Sequence, residues 1–218
     1  MKPLKSELQD AETLRDLGSA SVQIVHDLKN QLNGLKLYAT FLRKRMEKSE
    51  RPQDEIETVA KLMAGLERAA SNMTLLVRYG REVELQPRRG TDLARLLAEA
   101  ADGAHIKCDE GVYTGDFDAM LLSEAFKNIT AGGRIEAETG DGASVPEVEL
   151  RREETAGQSV AVVEWRGVAA VDEGEDPFRT FAGGAGLRMA LAAKVIRAHG
   201  GEVSQEGSVL RARLPLKN

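Results

Sequence analysis

Two apolar stripes that step by three and four run through the first eighty residues, and this spacing restricts the available folds more than any other feature. One stripe reads Leu14, Gly18, Ser21, Val25, Leu28, Leu32, Leu35, Ala39, Leu42, Met46, and the other reads Ile56, Val59, Met63, Leu66, Ala70, Met73, Val77. Residues so spaced share one face of an α-helix, so each stripe predicts a long amphipathic helix with a seam suited to bundle packing. Pro52 suits the first position of the second helix, where its missing N–H would be unpaired anyway. Ser6 with Gln9 makes a candidate capping box for the first helix. Two helices cannot enclose a core. Ile24, Tyr38, Phe41, Leu62, Ala69 and Leu76 widen both stripes beyond a two-helix seam, which favours pairing with a second copy as a dimeric four-helix bundle. The alternative is a hairpin packed onto its own C-terminal half.

From Gly80 the pattern changes. REVELQPRRG (81–90) reads as a linker with a short strand in VELQ. TDLARLLAEAAD predicts a helix capped by Thr91, HIKCD a strand, and DFDAMLLSEAFKNITAG a helix capped by Asp116. EVELRRE and SVAVVEW alternate as paired strands joined through Ala156 and Gly157. GLRMALAAKVIRAHGG predicts a helix ended by Gly200 and Gly201, and EVSQ with VLRARLPL a hairpin around Glu206–Gly207. The expected fold class is α+β. An antiparallel helical hairpin (1–80) forms the dimeric bundle, and a linker (81–90) leads to an α/β sandwich (91–218) with helices on one face of a mostly antiparallel sheet.

Composition narrows the function classes. A net charge of -5 argues against nucleic acid or an anionic membrane as partner. Cys108 is the only cysteine, so no internal disulfide forms and a reducing compartment fits; its simplest role is as a small core residue. No apolar run approaches the ~20 residues that span a bilayer, and MKPLKSELQDAETLRD lacks the core of a signal peptide. A cytoplasmic protein is expected.

The segment His26-Asp27-Leu28-Lys29-Asn30 holds the strongest chemical signal. His26 follows the seam residue Val25, at the flank of the stripe, where a histidine reaches solvent on a rigid helix. A neutral imidazole attacks phosphorus through one ring nitrogen, and a carboxylate that takes a hydrogen bond from the other fixes the tautomer. Asp27 is the candidate for that role. Lys29 can neutralise an incoming phosphoryl group, and Asn30 lies one turn on from His26. On spacing alone an ordinary surface histidine on a coiled coil is the better reading, because short motifs match by chance. His199, beside Gly200 and Gly201, suits a helix-end role better than catalysis, and His105 opens a strand.

SVQIVHDLKNQLNGLKLYATFL resembles the phosphoacceptor box of sensor histidine kinases. LLVRYGREVELQPRRGTDLARLL is similar to the end of that family's dimerisation hairpin, DAMLLSEAFKNITAGG to its N box, and FRTFAGGAGLRMALAAKVIRAHGGEVSQEGSVLRARLPL to its G2 box and closing hairpin. The likeness is colinear over nearly the whole chain after residue 15. It departs at the nucleotide site. The family's N box has two asparagines four apart, the later one holding Mg²⁺; here Asn128 matches the earlier position and Gly132 the later. Its G1 aspartate, which reads the adenine amino group, falls on Trp165. Gly184 and Gly186 keep part of the G2 box, although glycines before a helix also serve packing alone.

The resemblance therefore implies a degenerate ATPase-like domain, closest to dimeric histidine phosphotransferases, which pass a phosphoryl group between response-regulator aspartates. It implies His26 as nucleophile with Asp27, Lys29 and Asn30 around it, and at most a vestigial nucleotide site at Asn128, Gly184 and Gly186. The partners would be a receiver domain and a second copy of the chain. No resident metal or cofactor is expected, since the regulator brings the Mg²⁺. With the histidine helix almost at the start of the sequence, no sensor domain is expected. The alternatives are an atypical sensor kinase that autophosphorylates from ATP and a non-catalytic binding module.

Overall fold

A computed structural model of the chain describes residues 25, 27–46, 53–101, 104–133, 146–155, 157–168, 176–179 and 183–217. The chain forms two compact units, divided between Arg81 and Glu82.

In the first unit, residues 27–46 form helix α1 and Gln53–Gly80 form α2. Lys36 Nζ lies 2.9 Å from Glu67 Oε1, and Leu42 and Met46 line a cleft with Asp54, Thr58 and Val59, so the two helices run antiparallel. Acidic Asp54 and Glu55 open α2 and Arg78 closes it, each charge opposing the partial charge of its helix end. Pro52, Ser6 and Gln9 lie outside the described residues. Among the described residues of this unit, only Ala39 and Val59 are buried hydrophobics. Leu35 remains 53% exposed and Tyr38 73%. Over the described residues the heptad stripes lie on helices, yet a single hairpin covers only part of them.

The second unit is a layer of helices on a sheet. Its elements are β1 (Arg88–Asp92), α3 (Leu93–Ala100), β2 (Ile106–Cys108), β3 (Thr114–Phe117), α4 (Ala119–Gly132), β4 (Glu147–Thr155), β5 (Gln158–Arg166), α5 (Gly183–Ala198), β6 (Glu202–Glu206) and β7 (Val209–Pro215). The main sheet has the order β2-β4-β5-β7-β6, parallel between β2 and β4 and antiparallel elsewhere. Because strand side chains alternate, Ala161, Val163 and Trp165 of β5 face one side. There they join Leu93 and Leu97 of α3, Phe126 and Ile129 of α4, and Ala193 and Ile196 of α5 in one core.

The other face carries charge. Val162 and Glu164 project there and are nonetheless buried, Glu164 at 2% exposure. Glu164 accepts hydrogen bonds from Arg151 (3.1 Å) and Arg211 (2.9 Å), and also from Arg166. Arg213 reaches Glu153 at 2.7 Å, and Arg166 reaches Glu149 at 3.0 Å. The guanidinium groups and their stems thus cover the outer face themselves.

Several local expectations need correction. Helix α3 is capped by Asp92, whose Oδ1 accepts from Ala94 N at 2.9 Å, and not by Thr91. The Thr91 hydroxyl instead donates to Arg88 O and Phe117 O, stitching β1 to β3. Asp118, not Asp116, caps α4, taking the N–H groups of Met120 and Leu121 at 3.1 Å each. Asp116 lies within β3 and pairs with Lys217. VELQ forms no strand; β1 begins at Arg88 and pairs with β3 in a separate two-stranded sheet. Cys108 is exposed on the edge strand β2 rather than in the core.

Helix α5 ends as its glycines suggest. Gly200 sits at φ +77°, Gly200 N donates to Arg197 O at 2.9 Å, and Gly201 N donates to Ile196 O at 3.0 Å. This is the Schellman arrangement, which needs a left-handed residue that glycine adopts without strain.

Candidate functional site

His26 lies outside the described residues; Val25 and residues 27–30 on either side of it are helical. Asp27 and Asn30 are exposed and Lys29 is half-buried. Counted along the sequence from position 26, steps of four, three, four and four reach Asn30, Asn33, Leu37 and Phe41, a series that shares one helix face. Both asparagines on that series are exposed, Leu37 is 56% exposed and Phe41 60%. Along this series exposed polar residues, Asn30 and Asn33, give way to the exposed apolar residues Leu37 and Phe41 further along α1.

The other two histidines are of different kinds. His105 is exposed, immediately ahead of β2. His199 is buried with both ring nitrogens engaged: Nδ1 lies 2.8 Å from Val195 O, and Nε2 accepts the Asp118 N–H at 3.0 Å. That pairing assigns the proton to Nδ1 and leaves no free lone pair for nucleophilic attack.

Five residues, Asn128, Gly132, Trp165, Gly184 and Gly186, occupy the positions where a kinase-like nucleotide site is expected. Trp165 points inward and is fully buried; its Nε1–H donates to Thr130 Oγ1 at 2.9 Å and its ring lies 6.0 Å from that of Phe126. Gly132, in the last turn of α4, packs against α5 so closely that an added Cβ would stand 2.5 Å from Met189 Sδ and 2.9 Å from its Cγ. An asparagine there needs Met189 to move. At Gly133 an added Cβ would lie 2.8 Å from Val168 Cγ1. Asn128 is half-buried on α4, while Gly184 and Gly186 lie in the first turn of α5 rather than in a loop ahead of it. Reading the sequence found Trp165 and Gly132 but not Thr130 and Met189, because their roles arise only from the packing of α4 against β5 and α5.

Among the described residues no group of three or more His, Cys, Asp or Glu side chains is placed to hold a metal ion. No described helix is long and apolar enough to cross a membrane.

No protein-family model matches the sequence, and no curated protein matches it. The architecture does have counterparts: a helical hairpin followed by an ATPase-type α/β sandwich is the fold of histidine kinases. The chain is similar to the Acinetobacter baumannii histidine kinase AdeS, at 13% identity and a TM-score of 0.54, over 88% of this chain and 98% of that one. It is also similar to the histidine kinase ThkA, solved in complex with the response regulator protein TrrA, at 18% identity and a TM-score of 0.57. That match covers 98% of this chain and 66% of ThkA. At these identities the likeness is one of fold.

Proposed function

We propose that the protein is a histidine phosphotransferase of a two-component phosphorelay, with His26 as phosphoryl carrier. The observation that carries this reading is the packing of Trp165 and Met189. Indole and thioether fill the places where a kinase-like site needs an adenine-reading carboxylate and a metal-holding amide, and neither group can ligate Mg²⁺. A phosphotransferase has no need of that site, because the phosphoryl group arrives already attached to a regulator aspartate. The neutral His26 imidazole attacks phosphorus; an N–P bond forms as the P–O bond to the aspartate carboxylate breaks, and the reverse step passes the group to a second regulator. Asp27 orients the ring through its other nitrogen, and Lys29 and Asn30 line the approach. The regulator supplies the Mg²⁺. ThkA's complex with a response regulator supports a receiver domain as partner, and the exposed Leu37 offers it an apolar contact on α1. The α/β unit serves as further docking surface or rigid support. The direct test is labelling. Phosphate should reach the purified protein from a phosphorylated regulator and not from ATP; label from ATP alone would make the protein a kinase, and no label from either would make it a binding module.

Two further outcomes follow. Calorimetry with ATP and Mg²⁺ should give no binding at micromolar affinity, and a clear micromolar isotherm together with label on His26 from ATP alone would defeat the phosphotransferase reading. The exposed stripe of α1 and α2 should be covered by a second copy, completing a four-helix bundle. Light scattering at micromolar concentration should report a dimer, and charged residues at Leu32 and Leu35 should convert it to monomer. A monodisperse wild-type monomer would remove the dimer from this account.

A further inference from the structure

The small sheet of β1 and β3 carries a trough with chemistry of its own. Its floor is β3, where alternation puts Thr114 and Asp116 on one face, both half-buried, while the buried Gly115 and Phe117 face the other way. One wall is β1. Arg88 pairs with Phe117 and Thr91 with Gly115, so two residues of β1, Arg89 and Gly90, stand opposite the single residue Asp116. This is a β-bulge, which bends a strand and re-aims its side chains. Gly90, at φ +69°, supplies the left-handed residue that the bend uses.

The other wall comes from beyond β7. Tyr113 O accepts from Leu93 N, on the β1 side, and the next carbonyl of an extended strand points to the opposite edge. There Thr114 O accepts from Lys217 N at 3.2 Å. Arg89, Gly90, Thr114, Gly115, Asp116 and Lys217 together line a cavity of about 400 Å³, within the range of about 300–1,000 Å³ of small-molecule sites.

Two cations border this floor from its two sides. Lys217 Nζ is held by Asp116 Oδ2 at 2.6 Å. The exposed Arg89 guanidinium has no ion-pair or hydrogen-bond partner among the described residues, and neither has the Thr114 hydroxyl. Asp116 offsets one of the two positive charges, which leaves the lining with one in excess. A planar guanidinium presents paired N–H donors that match the oxygens of a carboxylate or a phosphate. The hydroxyl and the ammonium add donors along the floor and the far wall.

We propose that this trough binds the oxyanion group of a small molecule, a carboxylate or a phosphate, with Arg89 as its main ligand and Thr114 and Lys217 as further donors. Asp116 is a positioning residue that fixes the Lys217 ammonium. The proposal concerns the α/β unit alone and stands whether or not His26 carries phosphate.

Amide NMR spectra of the full-length chain test it, in titrations with inorganic phosphate and separately with acetate, at constant ionic strength and with chloride as reference. Arg89, Gly90, Thr114, Gly115 and Asp116 should show saturable shifts that chloride does not produce, and the anion that binds more tightly identifies the preferred group. Arg89→Gln should weaken binding about tenfold or more, the effect of losing a hydrogen bond to a charged group. Lys217→Gln should weaken it by a smaller factor, because that ammonium shares its charge with Asp116. Both side chains are exposed, so both variants should keep the wild-type amide dispersion. Arg88→Gln, on the same strand but outside the lining, should bind as wild type does. Shifts that merely track chloride, or equal affinity in Arg89→Gln, overturn the proposal and make the trough an ordinary solvated surface.

Discussion

With Gln at position 26, a phosphorylated regulator should leave no label on the protein, while the wild type acquires one that is labile in acid and stable in base, as a phosphoramidate is. Glutamine keeps helix propensity and a polar head but offers no nucleophilic nitrogen. The position flanks the seam, so the helical hairpin and its self-association should survive the change. Asp27→Asn should retain labelling but slow it, by about ten- to a thousandfold, the scale of a lost orienting or acid–base partner. His105→Gln should have no effect, since that ring is exposed beside β2, remote in sequence from the helix that bears the nucleophile. His199→Gln is a poorer control, because it disturbs the Asp118 contact. Label persisting in His26→Gln would exclude His26 as carrier.

Removing the Glu164 side chain should be among the most damaging single changes to stability. Its carboxylate is buried and joined to Arg151, Arg166 and Arg211, so Glu164→Ala leaves three guanidinium groups facing one another without their shared counter-charge. Breaking a buried ion pair from one side costs about 3–5 kcal/mol. Glu154→Ala on the neighbouring strand β4, where the side chain is 63% exposed, should cost less than about 1 kcal/mol. The effect also depends on pH. Burial pushes the Glu164 carboxyl up, but hydrogen bonds from Arg151 and Arg211 and the charges of Arg166 and Arg211 prevail and hold it below its ordinary value. A carboxyl depressed in the folded state stabilises the fold above its unfolded pKa, about 4.3 for glutamate, and that contribution is lost as pH falls through the folded value. Urea midpoints at pH 7 and near pH 3 should therefore differ less in Glu164→Ala than in wild type. A loss under about 1 kcal/mol at pH 7 would mean that Glu149, Glu153 and Glu206, which also pair with these arginines, suffice to hold them and that the outer layer is not organised by Glu164.

What the sequence disclosed was what local pattern encodes. Heptad spacing marked α1 and α2, alternation marked β4 and β5, and Gly157, Gly200 and Gly207 marked turns where φ is indeed positive. The sheet of β1 and β3 stayed hidden because RRGTD and TGDF are short, polar and glycine-bearing, and are held by pairing across 26 residues rather than by propensity. The caps were missed by one or two positions for a related reason. Thr91 and Asp116 are good caps in isolation, but pairing of the small sheet engages them first and leaves the work to Asp92 and Asp118. Cys108 followed the general burial of cysteine, which an edge strand overrides. At the candidate site the missing ligand types at 132 and 165 were visible as letters. That Met189 and Thr130 close on those positions was not, because three elements distant in sequence must first come together.

The order of the main sheet also bears on how the chain reaches its native state. Strands β4 and β5 are joined by a tight turn, as are β6 and β7, so each hairpin can form at small loop-closure cost. The central pairing is different: Val160 meets Pro215 and Arg166 meets Val209, with the whole of α5 between the two strands in sequence. The parallel contact of β2 with β4 likewise must wait for α4. Two early hairpins and a late zipper between β5 and β7 make this a topology of high contact order, which slows folding. Until that zipper closes, the Trp165 side of β5 and the Leu210 side of β7 stay open to other chains. Newly synthesised protein is then most prone to aggregate in the interval when α5 has been made and β7 has not yet docked.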